Sequence, residues 1–156
     1  MGMPEPLGDA MVHVLAPRPP VSGVPVFYNV DTSVGRNGQN SSIDDILLVQ
    51  FFLSLIGKNP SPGSNLGPLA DVPVTGRMNP ETIRGIELVQ TANRSTVDGR
   101  VSIARGYRFG ANFYTVVSLN FNIKERFRSQ WPNVEEMPGC PALLNLACRR
   151  ALGGTQ

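Results

Sequence analysis

Few residues in this chain have the types and spacing that chemistry needs. The single histidine, His13, stands in a proline-rich stretch with no ligand-spaced set of Cys, Asp or Glu around it. Neither a zinc site nor a Cys-His nucleophile can be built there, and a solvent-facing imidazole is expected. Asp44 and Asp45 have the residue types of an acid-base couple. They follow Ser41 and Ser42 at the spacing of a helix capping box, however, which accounts for both carboxylates as structural groups facing the positive end of a helix dipole. Glu135 and Glu136 sit in a proline-flanked linker with nothing nearby to shift either pKa. Cys140 and Cys148 lie in "CPALLNLACRRAL"; if that stretch is a helix, their Cα atoms stand about 12 Å apart, beyond the ~7 Å reach of a disulfide. Two small apolar core residues are expected, with an intermolecular bridge in an oxidising setting as the alternative. No nucleophile elbow, zincin helix, phosphate loop or dinucleotide fingerprint occurs. The expectation is a non-enzyme without cofactor or metal.

Composition narrows the class further. With 156 residues, 41% of them hydrophobic, the chain suits one domain with a real core. The 16 Gly and 14 Pro exceed the usual combined share of ~12% and concentrate outside the helical patterns, so arms and core separate by composition. A net charge of +2 is too small to draw the chain to a polyanion. The locally basic series Arg94, Arg100, Arg105 and Arg108 has no recognition-helix or aromatic-platform pattern, so a solvated face is expected and nucleic acid is not an expected partner. No run approaches the ~20 apolar residues of a membrane span, and "MGMPEPLGDAMVHVLAP" lacks the basic and apolar regions of a signal peptide. Gly2 is no myristoylation site, because Pro6 occupies the Ser or Thr position. Synthesis and retention in the cytoplasm are expected, and the N-S-S at Asn40 and N-R-S at Asn93 then stay unglycosylated.

These groups must be positioned by a small set of elements. Residues 1–40, with Pro4, Pro6, Pro17, Pro19, Pro20 and Pro25, read as an extended arm. In "GVPVFYNV", Val24, Val26, Tyr28 and Val30 alternate as in an edge strand able to anchor on a neighbour. A helix over Ile46 to Ile56 is apolar almost all round; Phe51 and Phe52 point to different faces, so a partner or the arm is expected to cover one of them. Val24, Val26, Tyr28, Phe51 and Phe52 are thus the expected assembly interface. The proline- and glycine-rich loop from Gly57 to Pro73 reads as an insertion with its own shape or a docking loop. The second helix starts with Asn79 as cap and Pro80 at the first position, Ile83, Ile86 and Val89 recurring at helical spacing. "VSLNFNI" fits strand or helix; the charged continuation "KERFR" favours a helix ending before Trp131-Pro132. Pro141 to Leu152 reads as the last helix, with Arg149 and Arg150 at its negative end and Gly153 as its stop. The expected core is Ile46, Leu47, Val49, Leu53, Ile83, Ile86, Val89 and Val101.

Two helices end their apolar register alike, "ILLVQ" at Ile46 to Gln50 and "IELVQ" at Ile86 to Gln90. A T-G-R turn precedes the second and a D-G-R turn follows it. Over about residues 43–103 this resembles the peptidoglycan-binding-like helical domain, on Val49, Gln50, Gly76, Thr82, Ile86, Val89, Gln90, Asp98, Gly99 and Val101. The chain departs from that pattern at Gly85, where Ala is usual, at Thr75, which replaces the first Asp, in its longer inter-helix loop, and in lacking the Thr or Trp of a third-helix start after "DGRVSIARG". The resemblance implies a mainly α fold: a small helical core over 41–130, an extended Pro-rich arm over 1–40, and a linker with a C-terminal helix over 131–156. It implies an architectural role for Gln50, Gly76, Thr82, Gln90, Asp98 and Gly99, with Thr and Gln tying helix to turn. It also implies a groove for a glycan or stem peptide, with Arg77, Asn93 and Arg94 as polar contacts. Two functions are expected from these readings: a structural subunit of a cytoplasmically assembled particle such as a phage virion or contractile tail, partnered by other subunits, or a peptidoglycan-binding module.

Overall fold

The structure, a computed structural model, describes residues 12–15, 27–105 and 114–153. Over these residues the chain is mainly helical, with helices α1 Ile43–Lys58, α2 Pro80–Ala92, α3 Thr115–Arg126 and α4 Ala142–Gly153. Four short strands, β1 His13–Leu15, β2 Phe27–Asn29, β3 Val34–Gly35 and β4 Arg100–Val101, form two antiparallel pairs, β1 with β2 and β3 with β4.

Helix α1 begins where the sequence signals it. The Ser42 hydroxyl accepts the Asp45 N–H at 3.2 Å, and Asp44 and Asp45 occupy the first turn. The helix runs longer at both ends than the apolar stretch Ile46 to Ile56, and every residue from Asp45 to Gly57 is buried. Its covering is the chain itself: α2, α3, α4, β3 and the 3-10 turn Gly67–Asp71 all pack on it. Phe51 and Phe52 are therefore core residues, 3% and 0% exposed; of the two expected coverings it is the arm, through Tyr28, that packs on Phe52, and neither ring is an interface residue.

The loop after α1 is an insertion with its own shape, and it lies as a lid on this core. Leu66, Leu69 and Val72 are buried, and the 3-10 turn comes so close to α1 that a Cβ on Gly57 would lie 1.9 Å from the Ala70 nitrogen. Gly85 serves the same loop from α2, where a Cβ would meet Val72, Leu53 and Leu69 at 3.1 to 3.2 Å. That contact explains the glycine at the position where Ala is usual.

The arm also folds in. Phe27, Tyr28 and Asn29 are all buried, so β2 has no solvent face and the alternating pattern does not describe it. The Tyr28 ring packs edge-on against Phe52 and Trp131, at centroid distances of 6.5 and 5.8 Å, and its hydroxyl donates to the Pro132 carbonyl. Tyr28 is thus no interface anchor, and the boundary expected at residue 40 is corrected: Phe27, Tyr28, Val30 and Val34 belong to the core. Removing residues 1–30 would strip Phe27 and Tyr28 from it. Val24 and Val26 lie outside the described residues, as do Arg108 and the chain before Val12.

Two buried asparagines take the place of missing strands. Asn120 of α3 accepts the Tyr28 N–H at 2.7 Å and donates to the Tyr28 carbonyl at 2.8 Å. Asn29 treats Ala104 likewise, accepting its N–H at 3.0 Å and donating to its carbonyl at 2.9 Å. Residues 114–123, ambiguous between strand and helix, lie in Tyr114 and α3, with Val116, Leu119 and Ile123 buried. α3 ends at Arg126, and α4 buries Leu144, Ala147, Cys148 and Ala151 against the rest, so residues 131–153 join the same core. Of the expected core residues only Ile83 is half-exposed; the other seven are buried.

Candidate functional site

The residues that stand out in the sequence converge on two places of like design. At the first, the Gln50 side-chain oxygen accepts the N–H groups of Thr75 and Gly76, both at 2.9 Å. Its nitrogen donates to the Arg77 carbonyl at 2.7 Å and to the Thr82 hydroxyl at 3.0 Å. At the second, the Gln90 oxygen accepts the N–H groups of Asp98 and Gly99 at 3.1 and 2.9 Å. Its nitrogen donates to the Arg100 carbonyl at 3.1 Å, to the Asp98 carboxylate at 2.9 Å and to the Thr115 hydroxyl at 3.0 Å. Each glutamine thus clamps a turn to the start of the next helix.

The details correspond residue by residue. Gly76 and Gly99 have φ of +80° and +70°, conformations that favour glycine. Thr75 does the work of Asp98: the Thr75 hydroxyl accepts the Arg77 N–H at 3.1 Å, as the Asp98 carboxylate accepts the Arg100 N–H at 3.0 Å. The helix-start threonine of the second clamp, absent after "DGRVSIARG", is Thr115, set further along the chain. The first clamp carries its long insertion between helix and turn, the second between turn and helix. Thr115 was legible only by searching past the insertion for a Thr ahead of an apolar helical run.

Both glutamines are spent inward, Gln50 being 0% and Gln90 2% exposed, so the clamps hold the fold and offer no surface to a ligand. Among the described residues Arg77 and Asn93 border different concavities. Arg77 borders a concavity with Asn40, Ser41, Ile43 and Met78, whereas Asn93 borders another with Ser118, Phe121 and Asn122. The 13 residues of α2, about 20 Å of helix, separate Arg77 from Asn93 and Arg94. Asn93 donates to the Ser118 hydroxyl at 2.6 Å, and Arg94 is exposed with φ +56°.

His13 is not a free imidazole. Its Nδ1 lies 2.6 Å from the Asp31 carboxylate and its Nε2 3.1 Å from the Asn29 amide. Asp31 leads on to Asp45, one of whose oxygens accepts the N–H groups of Asp31 and Thr32 and the Thr32 hydroxyl at 2.8 to 3.1 Å. The other oxygen is buried with no hydrogen bond. Burial pushes the Asp45 carboxyl up to about 6, against the pull of those three donors and with the Asp31 charge adding to the rise. A carboxyl whose folded pKa is raised contributes stability that is full below its unfolded pKa and is lost as pH rises through the folded one. Lowering the pH from 7 to 5 is therefore expected to add about 1 kcal/mol at this site, read as the difference in urea midpoint between wild type and Asp45→Asn at the two pH values. Identical pH responses in the two chains would contradict this.

The cysteines are free, as expected, but the intermolecular bridge is corrected for Cys148. It is 0% exposed, and burial pushes its thiol far up. Cys140 is half-buried, its thiol raised by burial to about 11, so neither carries thiolate at neutral pH. Among the described residues no three His, Cys, Asp or Glu side chains gather to hold a metal ion, and no helix is long and apolar enough to cross a membrane.

Fold and site together define a mainly helical module closed by two glutamine clamps. Compared with protein-family models, curated proteins and solved structures, the chain matches none.

Proposed function

We propose that this chain is a non-enzymatic structural component of a cytoplasmically assembled particle, such as a bacteriophage virion or contractile tail, built on a peptidoglycan-binding-like fold. The observation that carries this reading is the pair of glutamine clamps. Gln50, Thr75, Gly76 and Thr82 repeat in Gln90, Asp98, Gly99 and Thr115 the helix-to-turn ties that the resemblance implies. Their polar groups are consumed inside the fold, which suits a scaffold better than a receptor. The partners are other subunits of the particle.

A second reading, a peptidoglycan-binding module, draws on the concavity of Asn93, Ser118, Phe121 and Asn122, where amide and hydroxyl groups flank a half-buried aromatic ring. One experiment separates the two. The full chain is incubated with purified peptidoglycan, and its size is followed by sedimentation in the lysate of its source. Weak or absent sedimentation with peptidoglycan and co-migration with a large particle are expected. Saturable binding tighter than about 10 μM, lost in Asn93→Ala, would put the module first.

A further inference from the structure

Two surface features of the described residues remain without a role, and they complement each other. On α4, Leu143 and Leu146 are 56% and 47% exposed, three residues apart and so on one face of the helix. Arg149 and Arg150, both exposed, follow one turn on, Arg150 in line with the two leucines and Arg149 to one side of them. Elsewhere a cleft of about 410 Å³ opens between α2 and the 3-10 turn Gly67–Asp71. Its lining includes Pro68, Leu69, Val72 and Leu88, with the close-packed Gly85 at its base. The exposed side chains of Asp71, Glu81 and Arg84 border it, so the rim carries a net negative charge.

We infer that α4 of one copy docks in this cleft of a second copy, Leu143 and Leu146 entering the apolar walls and Arg149 meeting Asp71 and Glu81. The inference rests on the assembly reading above and names its partner. A helix seats in an apolar groove through anchors at this spacing, and the charges at its end set the direction. Because the two patches are different surfaces of one chain, the contact is head-to-tail: it propagates into a ring or filament and does not stop at a dimer. That is the geometry a repeating particle needs.

The test uses the full chain and three variants at exposed positions, each checked for unchanged helicity: Leu146→Glu, Arg149→Glu and the double variant Asp71→Arg/Glu81→Arg. In sedimentation velocity the wild type is expected to grow in mass with concentration past the dimer, while each variant stays monomeric. Leu146→Glu keeps its cleft and the double variant keeps its α4, so an equimolar mixture of the two is expected to give a one-to-one heterodimer that grows no further. A wild type that stays monomeric to about 1 mM overturns the inference. So does an equimolar mixture that fails to pair, the result of a symmetric α4-to-α4 contact. A monomer that still co-migrates with a particle in the lysate sinks this contact and leaves the assembly reading; a self-associating chain found in no particle does the reverse.

Discussion

Gly57→Ala is expected to cost about 3 kcal/mol or more, enough to unfold much of the population of a small domain. The added Cβ would stand 1.9 Å from the Ala70 nitrogen and 2.4 Å from the Leu69 carbonyl carbon, both backbone atoms that no rotamer change can move aside. The 3-10 turn would have to lift from α1, exposing Leu69, Val72 and the part of α1 beneath them. Gly67→Ala, where a Cβ meets nothing within 4 Å, is the control and is expected to stay within about 0.5 kcal/mol. Urea titration of both variants reads the difference. Equal midpoints would mean that the turn does not sit on α1 as described.

Removing either clamp has the next largest effect. Gln50→Leu or Gln90→Leu keeps the bulk of the side chain and strands the two backbone N–H groups that its oxygen had accepted, Thr75 and Gly76 in one case, Asp98 and Gly99 in the other. At 1–3 kcal/mol for each buried group left unpaired, with water reaching some of them, a loss of about 3 kcal/mol is expected for each. Amide exchange separates the two sites. Gly76 is expected to lose protection in Gln50→Leu while Gly99 keeps it, and the reverse in Gln90→Leu. If both amides stay protected in both variants, the turns are held by something other than the glutamines.

Local signals in the sequence carried well. The Ser42 and Asn79 caps, Pro80 at the first helical position, the glycines of the two turns and the helix over "VSLNFNI", which stops at Arg126 within "KERFR", are all short-range features, set by the chemistry of a few neighbouring residues. What escaped depends on distant segments. That α1 is covered on every side by its own chain follows from the insertion folding back at Gly57, and the period-three pattern of α1 is silent about that. The arm was read as extended because its prolines forbid helix, which is true but leaves open whether Phe27 and Tyr28 go inside; the partners that draw them in, Asn120 and Trp131, are about a hundred residues away. Arg77 and Asn93 looked like one groove because both flank α2, and the length of the helix keeps them apart.

The pairing of Asn120 with Tyr28 has a consequence for the edge of a sheet. A two-stranded sheet has two open edges, and each is a template on which a foreign strand can grow. Here a single amide, fixed on a helix, supplies the donor and the acceptor that a third strand would bring and then presents no edge of its own. An intruding chain meets occupied backbone at Tyr28, and the same holds at Ala104 for Asn29. On the β2 side this sheet is thus closed at Tyr28 without a further strand having to be built.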